Sequence, residues 1–125
     1  MSAKYLVLLA ADEGDWASAT PEERQRVMDA HDTFHRAVAE RATMVAGEAL
    51  AESSEGRTLR HVDHRPVVTE GPYAEGVEQL GGFYLLEAAS IDVVLDLCHA
   101  LPSSYAVEVR PVIQIEGYED TRDRE

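Results

Sequence analysis

The apolar residues of this chain fall into six short segments of strand length, separated by polar loops and two longer amphipathic stretches. The first segment, KYLVLLA at residues 4–10, is apolar on both faces and predicts a central strand that is covered on both sides. The remaining segments predict strands at residues 43–50 and 81–89, a hairpin from residues 57–63 and 65–69, and a last strand at residues 105–115. We expect the hairpin turn near Asp63 and His64.

The first amphipathic stretch has a clear helix start. In TPEE, Thr20 is the predicted N-cap, Pro21 occupies the first helical position, and Glu23 is the reciprocal acid of a capping box. The helix should end near Arg41. One stripe of side chains faces the core at spacings of four, three and four residues, formed by Val27, His31, Phe34 and Val38.

A second helix should begin after Ser90, its N-cap, and end at Leu101, just before Pro102. The last strand then alternates between two faces. One face carries Tyr105, Val107, Val109, Ile113 and Ile115, and the other carries Glu108, Arg110 and Gln114.

The order of elements is β-α-β, a hairpin, and β-α-β. This order predicts an α+β fold with a ferredoxin-like antiparallel sheet and helices on one face. Residues 1–125 should form a single domain, with a polar and frayed tail from about residue 116. Because one sheet face has no helix to cover it, we expect two copies to pair through that face as a homodimer.

Composition narrows the function classes. The chain has 24 acidic and 11 basic residues and a formal charge of −13, so we expect neither nucleic acid nor anionic membranes as partners. No apolar stretch is long enough to cross a bilayer, and residues 1–11 lack the features of a signal peptide. The single cysteine, Cys98, fits a reducing cytoplasm, and its apolar neighbours favour a buried structural thiol over a nucleophile.

The connection TEGPYAEGVEQLGG, at residues 69–82, is longer than a hairpin requires. Its glycines permit unusual dihedral angles, Pro72 stiffens it, and Tyr73 offers a stacking face with a polar tip. We interpret it as a lid that places acids and an aromatic ring over a pocket mouth. A structural lid without any chemistry is the alternative.

His31 is the sharpest candidate for chemistry, because it interrupts an apolar stripe and titrates near neutral pH. Spacing alone favours a core histidine bonded to a backbone carbonyl. Glu70 is held on a stiff backbone by Gly71 and Pro72, where a carboxylate can orient His31, take a proton or simply cap a turn. Glu48 is a second acid that could close the same pocket, or a solvent-facing strand residue.

Metal binding has weaker support. His31 and His35 lie four residues apart on a helix, and HVDH adds His61, Asp63 and His64. Along a strand, however, His64 points away from the other two side chains. We therefore predict no functional metal and no other cofactor, since phosphate-cradling loops and serine elbows are also lacking.

The segment VTEGPYAEGVEQLGGFYLLEA resembles the signature of the DGPF branch of YCII-related proteins. The branch typically has Asp, Phe and Lys where this chain has Glu70, Tyr73 and Val77. KYLVLLA, TPEE, GEAL and VEVRPV follow in the family's order, so the resemblance covers nearly the whole chain. It implies a dimeric ferredoxin-like α+β barrel with a small pocket, in which a histidine and an acid, here His31 and Glu70, form the suspected catalytic pair.

From this resemblance and the residues above, we expect a cofactor-free acid/base enzyme of lyase or isomerase type that acts on a small cyclic or aromatic molecule. The alternative is a non-catalytic ligand-binding or regulatory protein, since relatives often accompany extracytoplasmic-function sigma factors. The substrate is not specified by the sequence. The predicted ligand-binding residues are Trp16, Glu48, Tyr73, Glu75, Glu78 and Arg110. Trp16 equally fits an anchor of its own loop, and for Arg110 we favour an ion pair with Glu108 of a partner subunit.

Overall fold

A computed structural model describes residues 2–118 of the chain. Its elements, in order, are β1 (Ala3–Asp12), α1 (Glu13–Ala17), α2 (Pro21–Arg41), β2 (Thr43–Ala49), a short 3-10 turn (Ser53–Glu55), β3 (Arg57–Val62), β4 (Arg65–Glu70), β5 (Glu78–Ala88), α3 (Ile91–Cys98) and β6 (Ala106–Pro111).

Four strands form an antiparallel sheet in the order β2-β5-β1-β6, and β3 pairs with β4 as a separate hairpin. The two interior strands, β1 and β5, come from the two halves of the chain. This arrangement confirms the predicted α+β fold of ferredoxin-like topology. The hairpin is an insertion between β2 and β5.

The core lies between the sheet and helices α2 and α3. Along β1, Tyr5, Val7 and Leu9 are buried, whereas Leu6 and Leu8 point to the opposite face and stay partly exposed. The buried residues from the other elements are Phe34, Val38, Tyr84, Leu86, Ala88, Val94, Leu97 and Leu101. The helices thus cover one face of the sheet, as predicted, and we call the other face the open face.

The predicted helix starts are confirmed. The Thr20 hydroxyl accepts a hydrogen bond from the Glu23 N–H, and the Glu23 carboxylate accepts one from the Thr20 N–H. Ser90 caps α3 through the N–H of Val93. These bonds satisfy amide groups that have no partner within the helix, and so they fix where each helix begins.

The hairpin turn also lies where the sequence predicts it. Asp63 and His64 connect β3 to β4 with φ angles of 50° and 66°. Two successive positive φ values characterise the type I′ turn, whose twist matches that of the flanking strands. Asp tolerates this region better than most residues because its short side chain can bond locally.

Several elements differ from the predictions. β5 begins at Glu78, three residues earlier than expected, because β1 extends to Asp12 and pairs with it there. The α-helical part of α3 ends at Cys98, and residues 99–101 continue it with bonds to carbonyls three residues back. In addition, EGDWA forms the short helix α1 rather than a loop, with the Asp12 side chain accepting from the Gly14 N–H.

The last strand is also shorter than predicted. β6 stops at Pro111, which pairs with Tyr5 near the beginning of β1 and has no N–H to donate. Ile113 and Ile115 are consequently exposed, at 76% and 59%, and do not share the buried face of β6. Most of the predicted polar tail, residues 119–125, lies outside the described residues. Among residues 2–118, no helix is long and apolar enough to span a membrane.

Candidate functional site

His31 is held between two tyrosine hydroxyl groups in the helical layer. Its Nδ1 lies 2.7 Å from Tyr84 Oη, and its Nε2 lies 2.9 Å from Tyr105 Oη. The histidine comes from α2, Tyr84 from β5, and Tyr105 from the residue before β6. Three elements that are distant in sequence therefore converge on one imidazole, and both of its nitrogens have a partner.

Aromatic packing fixes the Tyr84 ring. Its centroid lies 4.8 Å from that of Phe34, and the ring of His35 contacts it edge-on at 5.3 Å. On the other side, Gly47 of β2 leaves room for the ring, since a Cβ atom at that position would lie 2.6 Å from Tyr84 Cδ1. The glycine in GEAL thus has a steric role in seating the tyrosine that bonds to His31.

Burial sets the protonation states of this cluster. Desolvation by burial, and after it the electrostatic effect of nearby His35, lowers the pKa of His31, and the nearby Asp32 carboxylate opposes this effect. Desolvation also raises the pKa values of Tyr84 and Tyr105. At neutral pH the cluster is therefore a neutral imidazole between two protonated phenols.

The two carboxylates predicted to serve His31 lie elsewhere. Glu70 ends β4, where it pairs in register with Arg57. Glu48 is exposed on β2, opposite Phe83 of β5. Both hydrogen bonds of the imidazole go to tyrosines, so within residues 2–118 neither glutamate bonds to His31. A catalytic role for Glu70 stays a prediction.

A separate groove of about 860 Å³ lies between the hairpin and the open face of the sheet. Three of the predicted ligand-binding residues line it, namely Tyr73, Glu78 and Arg110. Arg110 donates to Glu108 of its own strand, at 2.8 Å from Nε and 2.5 Å from Nη2. An ion pair of Arg110 with Glu108 of a partner subunit stays a prediction. The sheet separates this groove from His31.

The long connection contributes one wall of the groove. Gly71 has a φ of 98°, a region that glycine adopts without strain. Arg60 donates to the carbonyl of Tyr73, and the Gln79 amide donates to the carbonyls of Ala74 and Gly76. Arginine and glutamine side chains thus brace the loop, whereas the Tyr73 side chain is 76% exposed.

Two further predicted residues lie away from His31. Glu75 is exposed in the same loop. Trp16 belongs to α1, where its carbonyl accepts hydrogen bonds from Arg24 and its ring lies 5.0 Å from the guanidinium carbon. This geometry supports the interpretation of Trp16 as an anchor of its own segment.

Neither a metal cluster nor a reactive thiol emerges from the described part of the chain. No group of three or more His, Cys, Asp or Glu side chains in residues 2–118 is arranged to hold a metal ion. Cys98 packs against the core, and burial raises the pKa of its thiol from 9.0 to about 11. A thiol of this kind is a poor nucleophile at neutral pH.

Sequence reasoning identified His31 but missed its partners. The sequence predicts Tyr84 in a strand and Tyr105 on the apolar face of the last predicted strand, at residues 105–115, without a role for either hydroxyl group. The hydroxyl groups of the two tyrosines were the signal that could have identified them. A buried tyrosine needs a hydrogen-bond partner, and His31 is the polar side chain in the helical stripe that faces the same layer.

The chain is similar to known proteins over most of its length. Residues 3–116 match the YCII-related domain. The chain is also similar to the uncharacterized protein R00369 of Rhizobium meliloti (strain 1021), with 38% identity over 112 residues, which is 86% of this chain and 90% of that protein. The family match spans most of the chain, including every strand of the sheet and the His31 cluster. The chain therefore belongs to the YCII-related family.

Proposed function

We propose that this protein is a cofactor-free acid/base enzyme, of lyase or isomerase type, that acts on a small organic molecule in a reducing compartment such as the cytoplasm. The observation that carries the proposal is the position of His31, which is only partly buried and is fixed at both ring nitrogens by phenolic hydroxyl groups. A positioned base with a neighbouring acid is what proton transfer requires.

The protonation states support this role. A tyrosine hydroxyl can supply a proton to the oxygen of the reacting group or donate a hydrogen bond to it, and the imidazole bonded to that tyrosine can replace the proton. The tyrosines also hold the ring in one orientation, so that little reorganisation is needed during transfer. Such chemistry needs neither a metal nor an organic cofactor.

Deuterium exchange tests the proposal without knowledge of the substrate. A pool of small cyclic and aromatic ketones is incubated with the protein in D2O, and incorporation of deuterium is followed by mass spectrometry. We expect His31→Gln to slow exchange at least about 100-fold, the usual contribution of a general acid or base. His61→Gln, on an exposed strand position, is the matched control and should exchange like the native chain. Equal rates in all three proteins would refute the role of His31.

An NMR titration of His31 in the native chain and in Glu70→Gln decides the part played by Glu70. Because tyrosines occupy both nitrogens of His31, we expect Glu70→Gln to leave the His31 pKa below 6.5, as in the native chain. A fall in that pKa on substitution would instead support the His31 and Glu70 pair.

The lowered pKa of His31 also makes the stability of the protein depend on pH. The folded chain resists protonation of His31 more than the unfolded chain does, so the free energy of unfolding should decrease as pH falls below about 6.5.

We further propose that the protein is a homodimer that pairs through the open face. Leu6, Leu8, Phe83 and Leu85 are partly exposed there, and burying them removes apolar surface from water.

Light scattering tests the assembly. We expect the native chain to have twice the mass of 13.8 kDa, and Leu85→Arg, at the centre of the open face, to be monomeric and folded. Leu95→Arg, on the outer side of α3 where the side chain is 45% exposed, should remain a dimer. A native chain that is monomeric at micromolar concentration contradicts the proposal.

A second candidate function is that of a non-catalytic ligand-binding or regulatory protein. The groove beneath the hairpin favours it, because Tyr73, Glu78 and Arg110 line a space of about 860 Å³ on the side of the sheet away from His31. Compounds that raise the melting temperature of the native chain and of His31→Gln alike, without undergoing exchange, would support this function.

A further inference from the structure

The two hydrogen bonds of His31 differ in length. The bond to Tyr84 is 2.7 Å long and the bond to Tyr105 is 2.9 Å long. Hydroxyl donors make bonds of about 2.7–2.8 Å, and N–H donors make bonds of about 2.9–3.0 Å. The lengths are compatible with a Tyr84 hydroxyl that donates to Nδ1 and an Nε2–H that donates to the Tyr105 oxygen. The burial of Tyr84 favours the same assignment, because within residues 2–118 its enclosed hydroxyl group has His31 as its acceptor.

With these donor and acceptor roles, the hydroxyl hydrogen of Tyr105 does not bond to His31 and is available to another acceptor. A neutral imidazole has one donor and one acceptor nitrogen, so only one of the two tyrosines can donate to it. Tyr84 is 8% exposed and is enclosed by Phe34, His35 and Gly47. Tyr105 is more accessible, and it precedes β6, the outer strand of the sheet. Within the hydrogen-bonded cluster of Tyr84, His31 and Tyr105, the hydroxyl hydrogen of Tyr105 is thus the one that a ligand can reach.

We propose that Tyr105 is the ligand-facing hydrogen-bond donor of this site, and that its ligand is the oxygen of a neutral carbonyl compound. The inference rests on the proposed function and adds a substrate class to it. Tyr84 is a positioning residue: its proton occupies Nδ1, which places the imidazole hydrogen on Nε2 and turns the Tyr105 hydrogen outward.

Charge selects a neutral ligand over an anion. The Asp32 carboxylate lies close enough to influence the pKa values of both His31 and Tyr84, and it would repel a carboxylate at this position. His35 is the other titratable group beside the cluster, and its ring contacts that of Tyr84 edge-on. The formal charge of −13 acts in the same direction. A ketone or aldehyde oxygen accepts a hydrogen bond without that penalty.

The tautomer of His31 tests the polarity. In a 15N-detected spectrum of the native chain near pH 7.5, we expect Nε2 to carry the proton and Nδ1 to be bare. Tyr105→Phe should keep this tautomer, because Tyr84 still donates to Nδ1, whereas Tyr84→Phe should lose the preference. An Nδ1–H tautomer in the native chain overturns the proposal. The dispersion of the same spectra shows whether each variant is folded.

Cyclohexanone labelled with 13C at its carbonyl is the ligand probe. The native chain should shift the carbonyl resonance downfield in a saturable way, and Tyr105→Phe should bind about two- to ten-fold more weakly and lose the shift. Tyr84→Phe should also weaken binding, although buried Tyr84 cannot touch the probe, because Tyr105 is then free to donate to His31 instead. A native chain that leaves the resonance unchanged, or equal binding by native chain and Tyr105→Phe, overturns the proposal.

The two proposals can fail separately. If the probe binds through Tyr105 but no ketone exchanges deuterium, the enzymatic function fails and the carbonyl site stands. If exchange depends on His31 but not on Tyr105, and the probe ignores Tyr105, the function stands and this inference fails.

Discussion

Substituting Gly47 by alanine should lower the free energy of unfolding by about 1–3 kcal/mol, the usual cost of forcing an extra carbon into a packed site. The added Cβ would lie 2.6 Å from Tyr84 Cδ1 and 3.0 Å from Cε1. The ring cannot swing aside freely, because it packs against Phe34 and its hydroxyl bonds to His31. Either β2 moves away from β5, or Tyr84 leaves His31.

Gly81→Ala provides the matched control. Gly81 lies on β5, at an ordinary φ, and a Cβ there meets no atom within 4 Å. Alanine restricts the unfolded chain more than glycine does, so this variant should be unchanged or slightly more stable. Urea unfolding measures both free energies, and the His31 ring resonances report whether Tyr84 has moved. Equal stability of the two variants would show that the sheet absorbs the methyl group at Gly47.

The elements of this fold were predictable because local chemistry specifies them. The capping box of Thr20 and Glu23 needs only four consecutive residues. The hairpin turn at Asp63 and His64 lies between two short runs of strand-forming residues. Element order then constrains the topology, since β-α-β units with a hairpin admit few arrangements. The start of β5 at Glu78 depends on how far β1 extends beside it, which no local signal encodes. The end of β6 at Pro111 does have a local signal, the missing N–H of proline, which the apolar alternation beyond it obscured.

The candidate site was predictable only in part, because it depends on contacts between elements that are distant in sequence. His31 stands out because it interrupts an apolar stripe, but its partners are 53 and 74 residues away. Their approach depends on the register of β5 and on the loop before β6. Glu70 was the expected partner because it neighbours a distinctive loop, yet that loop follows the hairpin and lines a groove on the other side of the sheet. Prominence in the sequence does not determine which face of a sheet a residue occupies.

Phe34→Ala should cost about 3–5 kcal/mol of unfolding free energy, the usual range for removing a buried aromatic ring. Phe34 is fully buried between α2 and the sheet and contacts the Tyr84 ring at 4.8 Å. Its removal deletes apolar contacts and leaves a cavity beside the His31 cluster. A domain of this size has about 5–15 kcal/mol of total stability, so the variant should unfold at a much lower urea concentration.

The control for this prediction lies on the same helix. Met28 is 51% exposed, and Met28→Ala should change stability by less than about 0.5 kcal/mol. Alanine favours the helix at both positions, so intrinsic helix propensity cannot account for a loss at Phe34 alone. Because Phe34 holds the Tyr84 ring, its variant should also broaden or shift the His31 resonances below the unfolding transition, while Met28→Ala should not. A cost at Phe34 below about 1 kcal/mol would mean that the core beneath His31 is loosely packed, and that the tyrosines are not held in place by the aromatic contacts described above.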